Sequence, residues 1–329
     1  MGRFFRAMLF GAGFFLLSQV AVAAPFKVLV VMSYEEQNPW CEEIKQGIDT
    51  VLAPSSEISY FYMDTKVAPE GGPAKAKQAL AAYQALQPDG VITVDDNAQS
   101  MLVVPSLKDK VPTPIMFAGV NAAASKYGYP NQHISGILER AHVRESLAFA
   151  KQLFPSIDRA CLVTNDVPSG RALQQQVEAD RTKYPVPARQ FFLTKSTAEL
   201  DELGETLRQS CDALFVDSLE GIKDAAQQSM SNQQVLSYLK TLFPGPILGG
   251  NRYTVEQGAW AAVVKTGQEQ GETAAEMLLQ AMQGTPVEQI PVTTNNKGER
   301  IVNVSALKAN NVPLKPLVLR GATLVREQP

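Results

Sequence analysis

The stretch that decides the fold reads GVITVDDNAQ over residues 90–99 and PIMFAGVNA over residues 114–122. Each part is a short apolar run that ends in polar residues, and residues 99–110 between them carry apolar side chains at helical spacing. Strand, polar tip, helix, strand and polar tip is the order of a parallel α/β sheet. Ligands of such sheets bind beyond the carboxyl ends of the strands, so these polar tips are predicted to line a binding site.

The same unit recurs along the chain. Strands are predicted to start at residues 27, 58, 90 and 114 in the first half, and at 160, 188, 211 and 246 in the second. Further strands are expected at 133–138, 259–264 and 300–304, with a helix at 39–52 and a long helical region from about 219 to 242. The pattern predicts an α/β protein of two doubly wound parallel-sheet lobes. Two domains also suit a mature chain of about 305 residues.

The first residues are predicted to be a signal peptide covering residues 1–23. Arg3 and Arg6 precede an uncharged apolar run, and AVA at 21–23 offers the small residues that a signal peptidase requires. The alternative is a retained anchor, but the run is shorter than the ~20 residues needed to span a bilayer. Because the cleavage point lacks a cysteine, a soluble periplasmic protein is expected rather than a lipoprotein.

Charge and cysteine content limit the possible partners and cross-links. The chain has 30 basic and 33 acidic residues and no Lys/Arg stripe, which argues against nucleic acid or an anionic membrane as partner. Three cysteines in an oxidising compartment leave at least one thiol free or paired between chains. Cys161 and Cys211 each begin a predicted strand, so they form a disulfide if those strands are neighbours, or remain two buried thiols.

Catalysis finds little support in the sequence. The only histidines, His133 and His142, do not have the spacing of an HExxH zinc site, and no GxSxG or Walker-type loop occurs. We therefore expect no enzyme, no cofactor and no metal. Aspartates at strand tips leave an exported hydrolase as the third choice of function.

Several short motifs, in this order and spacing, resemble the periplasmic substrate-binding proteins of ABC importers with the type I fold. They are SY at 33–34, PW at 39–40, FYMDT at 61–65, DDNAQ at 95–99, GVNA at 119–122, YGYP at 127–130, GILER at 136–140 and GQEQG at 267–271. The resemblance spans nearly the whole mature chain. It implies lobes joined by three crossovers, near residues 138–141, near Lys265 and near residues 286–291. The N-terminal lobe then consists of residues 24–139 plus about 266–288. The C-terminal lobe consists of residues 140–265 plus about 289–329.

The strand tips of the first lobe supply six candidate ligand-binding residues. Asp95 and Asp96 point opposite ways on an extended chain, so one is expected to cap the following helix and the other to hold a ligand ammonium or hydroxyl. Asp96 is favoured for the ligand. Trp40 could stack on a ligand or pack its helix, whereas Trp260 is expected in the core. The set is Ser33, Tyr34, Trp40, Asp96, Asn97 and Asn121.

The second lobe supplies four more candidates. Ser169 and Arg171 open a predicted helix whose N-terminus suits a carboxylate, although Arg171 would face solvent in the commoner case. Asp217 ends a strand as Asp96 does, and Asn251 follows two glycines at another strand end.

These features predict a monomeric binding protein that encloses a small polar ligand between its lobes and delivers it to an ABC permease. Some relatives in the superfamily that the chain resembles bind aromatic amino acids, which implies an amino-acid-like ligand. The alternative partner is a membrane sensor histidine kinase that reads the closed form.

Overall fold

A computed structural model describes residues 25–326 and contains two sheets. The first sheet consists of β1 (Phe26–Met32), β2 (Ser56–Tyr62), β3 (Gly90–Val94), β4 (Ile115–Val120), β5 (Ile134–Leu138) and β11 (Thr293–Thr294). Its spatial order is β11-β5-β4-β3-β1-β2, and every pair is parallel. The predicted signal peptide lies outside the described residues.

The second sheet has seven strands in the order β13-β12-β10-β9-β8-β6-β7. They are β6 (Ala160–Asn165), β7 (Ala188–Thr194), β8 (Ala213–Asp217), β9 (Ile247–Gly249), β10 (Ala261–Val264), β12 (Glu299–Asn303) and β13 (Thr323–Val325). Only the β10–β12 pair is antiparallel. Two doubly wound, mostly parallel sheets confirm the predicted fold class.

Helices cover both faces of each sheet, and apolar cores lie on both sides. They are α1 (Pro39–Leu52), α2 (Gly72–Leu86), α3 (Asp95–Ala98), α4 (Val143–Leu153), α5 (Pro168–Asp180), α6 (Thr197–Ser210), α7 (Asn232–Leu242), α8 (Arg252–Glu256), α9 (Gly267–Met282), α10 (Val304–Ala309) and α11 (Pro316–Leu319). Short 3₁₀ turns occur at Pro69–Gly71, Ala124–Tyr127, Arg181–Lys183 and Val287–Gln289. None of the helices within residues 25–326 is long and apolar enough to cross a bilayer.

Two predicted helices differ from the structure. The segment after α3, Gln99–Leu107, is a π-helix that contains Pro105, whose missing N–H breaks the usual α-helical ladder. The region predicted as one long helix is a loop before α7. The Asp224 side chain accepts bonds from the backbone of Ala226 (2.9 Å) and Gln228 (2.8 Å), which stabilises a turn there. A capping box between Ser231 and Gln234 then begins α7.

The chain passes between the sheets three times. The first passage follows β5 and the second follows β10. The third comes after Thr294, later than residues 286–291, because Thr293–Thr294 still pairs with β5 at the edge of the first sheet.

Asn295 ties the first and third passages together. Its side chain accepts a bond from the Arg140 backbone N–H (2.7 Å) and donates one to the Arg140 carbonyl (3.0 Å). Gln270 on α9 adds a bond to the Leu138 carbonyl (3.3 Å). The connections between the lobes are therefore one hydrogen-bonded unit.

Helix α9 returns to the first lobe and packs closely on α1, because glycines stand where the helices touch. A Cβ at Gly271 would lie 2.1 Å from the Ile44 carbonyl oxygen, and one at Gly47 would lie 2.4 Å from the Gln268 carbonyl oxygen. These contacts fix the helix that follows the second passage against the first sheet.

A disulfide joins Cys161 of β6 to Cys211, just before the neighbouring strand β8, and Cys41 is a buried free thiol. Of the two alternatives that the sequence left open, the structure therefore selects the cross-link.

We predict that Cys161→Ala/Cys211→Ala lowers the free energy of unfolding by about 2–4 kcal/mol, because an uncross-linked unfolded chain has more conformational entropy. Urea denaturation measures the change. A reducing agent should destabilise the wild type in the same way and leave the double variant unaffected. Equal stability of the wild type with and without reductant would contradict the assignment.

Candidate functional site

The carboxyl ends of strands from both sheets face each other across a cleft. A narrow cavity of about 30 Å³, on the order of one water molecule, lies between them. The residues that line it follow strand ends in both lobes or begin the adjoining helices. They are Tyr34, Asn38, Trp40, Lys66, Asp95, Asn121, Glu139, Ser169, Asp217, Ser218, Glu220, Asn251, Tyr253 and Lys265. We call this space the inner cavity.

A buried ion triad connects the two lobes at the inner cavity. The Lys265 ammonium lies 3.1 Å from Glu139 Oε1 on the first passage and 3.0 Å from Asp217 Oδ2 of the second lobe. Burial alone would lower the pKa of Lys265, but the Asp217 and Glu139 carboxylates offset that effect and raise it above its usual value. Lys265 is therefore charged, and it neutralises one of the two carboxylates.

Two asparagines donate hydrogen bonds to the carboxylates of the triad. Asn251 donates to Asp217 Oδ1 (2.6 Å) and Asn121 donates to Glu139 Oε2 (3.2 Å). Burial raises the pKa of Glu139, and the nearby Lys265 acts in the opposite direction. Each carboxylate thus has a cationic and an amide partner, which a buried charge requires.

Two carboxyl oxygens of the inner cavity, Asp95 Oδ2 and Glu220 Oε2, are buried without a hydrogen-bond partner among the described residues. The Lys66 ammonium lies 4.0 Å from Glu220 Oε2. Asp95 has no ion pair within residues 25–326. It is 1% exposed, and its Oδ1 accepts a bond from Trp40 Nε1 at 3.2 Å. Its Oδ2 is buried and has no hydrogen-bond partner among the described residues. Burial, followed by the charges of Glu139 and Asp96, raises the pKa of Asp95 well above its usual range. Asp95 Oδ2 is therefore a buried polar atom at the cavity without a partner among the described residues.

The backbone at Asp95 explains its orientation. Asp95 has a φ of 65°, a left-handed conformation that is uncommon outside glycine and that recurs at functional sites. Gly119 on β4 makes room for it, since a Cβ there would lie 2.8 Å from Asp95 Oδ1 and the φ of Gly119 is also positive. A side chain at position 119 would displace the carboxylate.

Aromatic side chains form one wall of the inner cavity. Trp40 is 8% exposed, at the start of α1, and Asn38 caps that helix by accepting a bond from the Trp40 N–H (3.0 Å). Burial raises the pKa of Tyr34 well above its usual value, and the Lys66 ammonium lies 4.9 Å from the centre of the Tyr34 ring. The Lys265 ammonium lies 5.8 Å from the centre of the Trp40 ring, so each of the two rings has a cation over one face.

The structure brings six of the ten sequence-predicted residues to the inner cavity. These are Tyr34, Trp40, Asn121, Ser169, Asp217 and Asn251. Trp260 packs edge-on against Phe154 in the core, as expected. Ligand contact by the six stays a prediction.

The structure places the two adjacent aspartates differently from the sequence expectation, and ligand contact by either one stays a prediction. Asp96 accepts bonds from the Asn121 N–H (2.9 Å) and from the Tyr127 hydroxyl (2.6 Å), so its carboxylate holds the chain after β4. Asp95, expected to be the cap, faces the inner cavity instead. The left-handed backbone at Asp95, which the sequence does not reveal, reverses the alternation expected of an extended chain.

Three other candidates lie outside the inner cavity. The Ser33 hydroxyl donates to the Val94 carbonyl (2.5 Å) and accepts from the Ala98 N–H (2.9 Å), so it stabilises the start of α3. The Arg171 side chain is 60% exposed and pairs with Asp166, so it faces solvent rather than the inner cavity. Asn97 lies with Asp96 in a neighbouring groove.

Sequence reasoning missed several residues of the inner cavity. Glu139 and Lys265 lie at the predicted crossovers, but each also directly follows a predicted strand, which is the criterion that selects Asp217. Within the described residues, no group of three His, Cys, Asp or Glu side chains could hold a metal ion.

We predict that Lys265→Met lowers the free energy of unfolding by about 3–5 kcal/mol, because it leaves two buried carboxylates without their cation. Lys183→Met is the matched control, since the Lys183–Asp180 pair is exposed and should contribute at most about 1 kcal/mol. Chemical denaturation measures both. Equal effects of the two substitutions would contradict the importance assigned to the triad.

Comparisons with known proteins identify the family of this chain. The family model described as ABC transporter substrate binding protein matches residues 43–326. No curated protein sequence matches the chain.

Two solved structures show the same fold. One is the ABC domain from Streptococcus pneumoniae in complex with L-Trp, with 18% identity, a TM-score of 0.70 and coverage of 92% of this chain and 99% of that one. The other is a substrate-binding protein with adhesive properties from Clostridium difficile in its ligand-free, open form, with 16% identity, a TM-score of 0.68 and coverage of 92% and 100%. At these identities the likeness is one of fold. The family match over most of the sequence shows that this chain belongs to the ABC transporter substrate-binding protein family.

Proposed function

We propose that this protein is exported, captures an amino acid or a close derivative between its two lobes, and delivers it as a monomer to an ABC permease in the inner membrane. The observation that carries the proposal is the buried Asp95 Oδ2, which has no donor among the described residues and lies at a cavity lined from both lobes. A ligand ammonium would supply the missing donor, and its positive charge would favour the ionised form of the Asp95 carboxyl group, whose pKa burial raises.

The charge of the inner cavity supports a cationic group on the ligand. Four carboxylates line it, from Asp95, Glu139, Asp217 and Glu220, against two ammonium groups, from Lys66 and Lys265. The triad accounts for Lys265, and Lys66 lies 4.0 Å from Glu220. The excess acidity therefore favours a ligand that carries an amine.

The aromatic wall and the structural likeness support an amino acid in particular. Trp40 and Tyr34 offer faces on which an apolar or planar side chain can pack. The Streptococcus pneumoniae structure of the same fold holds L-Trp, an amino acid with a free amine. An amine at Asp95 with its side chain along the aromatic wall accommodates this class of ligand.

Transport requires that the lobes open and close. An inner cavity of about 30 Å³ admits no amino acid unless the lobes separate, and the three passages between the sheets provide the hinge. A ligand that contacts both lobes favours the closed form, whose surface a permease can distinguish from the open one. The leader predicted at residues 1–23 supports export to the periplasm, where this capture would occur.

We predict that Asp95→Asn weakens ligand binding about 10-fold or more, because hydrogen bonds to charged groups contribute about 1.5–3 kcal/mol. A thermal-shift screen of the twenty amino acids identifies a ligand, and isothermal titration calorimetry then measures its dissociation constant for each variant.

Asp96→Asn is the matched comparison, one residue away. Asp96 lines the neighbouring groove, but its carboxylate already accepts bonds from the Asn121 N–H and the Tyr127 hydroxyl. This substitution should change the dissociation constant little and lower the melting temperature instead. A loss of affinity in Asp96→Asn with unchanged affinity in Asp95→Asn would contradict the assignment.

A further inference from the structure

A second interlobe space adjoins the inner cavity. It has a volume of about 490 Å³, and four residues, Tyr34, Lys66, Ser169 and Glu220, line both spaces. We call it the outer groove. Its volume falls in the range of roughly 300–1,000 Å³ that is typical of small-molecule sites, whereas the inner cavity has room for about one water molecule. Most of a ligand enclosed by this arrangement of the lobes would therefore lie in the outer groove.

The outer groove has an apolar lining contributed by both lobes. Val67, Pro69 and Met101 come from the first lobe, and Val167 and Pro168 come from the second. Val67 is 77% exposed, unusually high for a large apolar side chain. These side chains would gain contacts from an apolar ligand group, which a purely polar ligand would not provide.

The outer groove is lined by the ammonium groups of Lys66 and Lys223 and by the carboxyl groups of Glu70, Asp96 and Glu220. Lys66 lies 4.0 Å from Glu220, Asp96 accepts bonds from the Asn121 N–H and the Tyr127 hydroxyl, and Glu70 is exposed to solvent.

The described residues give the Lys223 ammonium one hydrogen bond, to Ser229 Oγ at 2.6 Å, and no ion pair. Lys223 lines the outer groove but not the inner cavity, whereas Asp95 lines the inner cavity but not the outer groove. The Asp95 Oδ2 atom, which lacks a hydrogen-bond donor, and the Lys223 ammonium, which lacks an ion pair among the described residues, thus line different spaces.

In a single α-amino acid the ammonium and the carboxylate are attached to one carbon, so both charges lie together. Each further residue separates the ends of an extended peptide by about 3.5 Å. A ligand that satisfies Asp95 and Lys223 together must therefore carry its charges at separate ends, with an apolar portion between them.

From this arrangement we infer that the ligand is an amino acid extended at its carboxyl end, in the simplest form a dipeptide. Its ammonium binds Asp95 in the inner cavity, its apolar side chain packs on the lining of the outer groove, and its carboxylate pairs with Lys223. The inference rests on the proposed function and narrows its ligand class.

The test compares the twenty amino acids with the twenty dipeptides that carry the same first residue and alanine as the second. Isothermal titration calorimetry on the full mature protein should show that the best dipeptide binds at least 10-fold more tightly than the matching amino acid. Lys223→Gln should weaken binding of the dipeptide about 10-fold. Binding of the same dipeptide with an amidated carboxyl end should be equal in Lys223→Gln and the wild type. The control Lys308→Gln removes an exposed positive charge elsewhere in the second lobe and should have no effect.

Val67→Trp provides an independent readout, because a bulky side chain at this exposed position fills the outer groove without disturbing the core. It should weaken the dipeptide more than 10-fold, whereas Val104→Trp, partly exposed and outside the groove, should not. If amino acids bind as tightly as dipeptides, or if Lys223→Gln and Val67→Trp leave dipeptide binding unchanged, the inference is wrong while the proposed function stands. Failure of every amino acid and dipeptide to bind would overturn both.

Discussion

The buried ammonium of Lys265 is the group on which the arrangement of the cleft depends. It lies between Glu139, where the chain first leaves the first sheet, and Asp217, at a strand end of the second sheet. Burying these charges is favourable only if each has a close partner, so the positions of the three groups are strongly coupled. Lys265 itself stands on the second passage between the lobes, which places a polar centre of the site at the hinge.

The arrangement also separates the carboxylates into two kinds. Glu139 and Asp217 are partnered by Lys265 and by asparagines, and Asp96 by a backbone N–H and a tyrosine hydroxyl. Asp95 keeps one oxygen without a donor among the described residues, in a backbone conformation that a glycine opposite makes possible. The triad carboxylates and Asp96 thus have partners within the protein. Asp95 Oδ2 and Glu220 Oε2 have no hydrogen-bond donor among the described residues, but Lys66 lies 4.0 Å from Glu220, so Asp95 is the carboxyl group to which we assign a ligand amine.

The sequence predicts the lobes well because the information for them is local. Apolar runs such as VITV at 91–94 are long enough for one buried strand, and Asn38 followed by Pro39 is a sufficient signal for the start of α1. Prediction from the sequence fails where a local pattern is compatible with two different backbone structures. The segment at 219–231 has helix-forming residues, but Asp224 stabilises a turn and Leu219 and Ile222 are buried as parts of a loop.

The candidate site was predictable only in part, for a different reason. Strand ends identify the residues that face the cleft, and this rule found Asp217, Asn251 and Asn121. It could not choose between Asp95 and Asp96, because that choice depends on a left-handed φ and on space left by Gly119, which is distant in sequence. Partnerships such as that of Lys265 with Glu139 join residues more than a hundred positions apart, so no local pattern contains them.

Native mass spectrometry of the mature protein purified from its own compartment is the most direct measurement of whether Asp95 binds a ligand amine. The wild type should carry a small-molecule adduct that is released on unfolding and whose fragmentation shows a free primary amine and a carboxylate. The adduct should be lost or much reduced in Asp95→Asn and retained in Asp96→Asn. A ligand without an amine, or one retained fully by Asp95→Asn, would contradict the role assigned to this carboxylate.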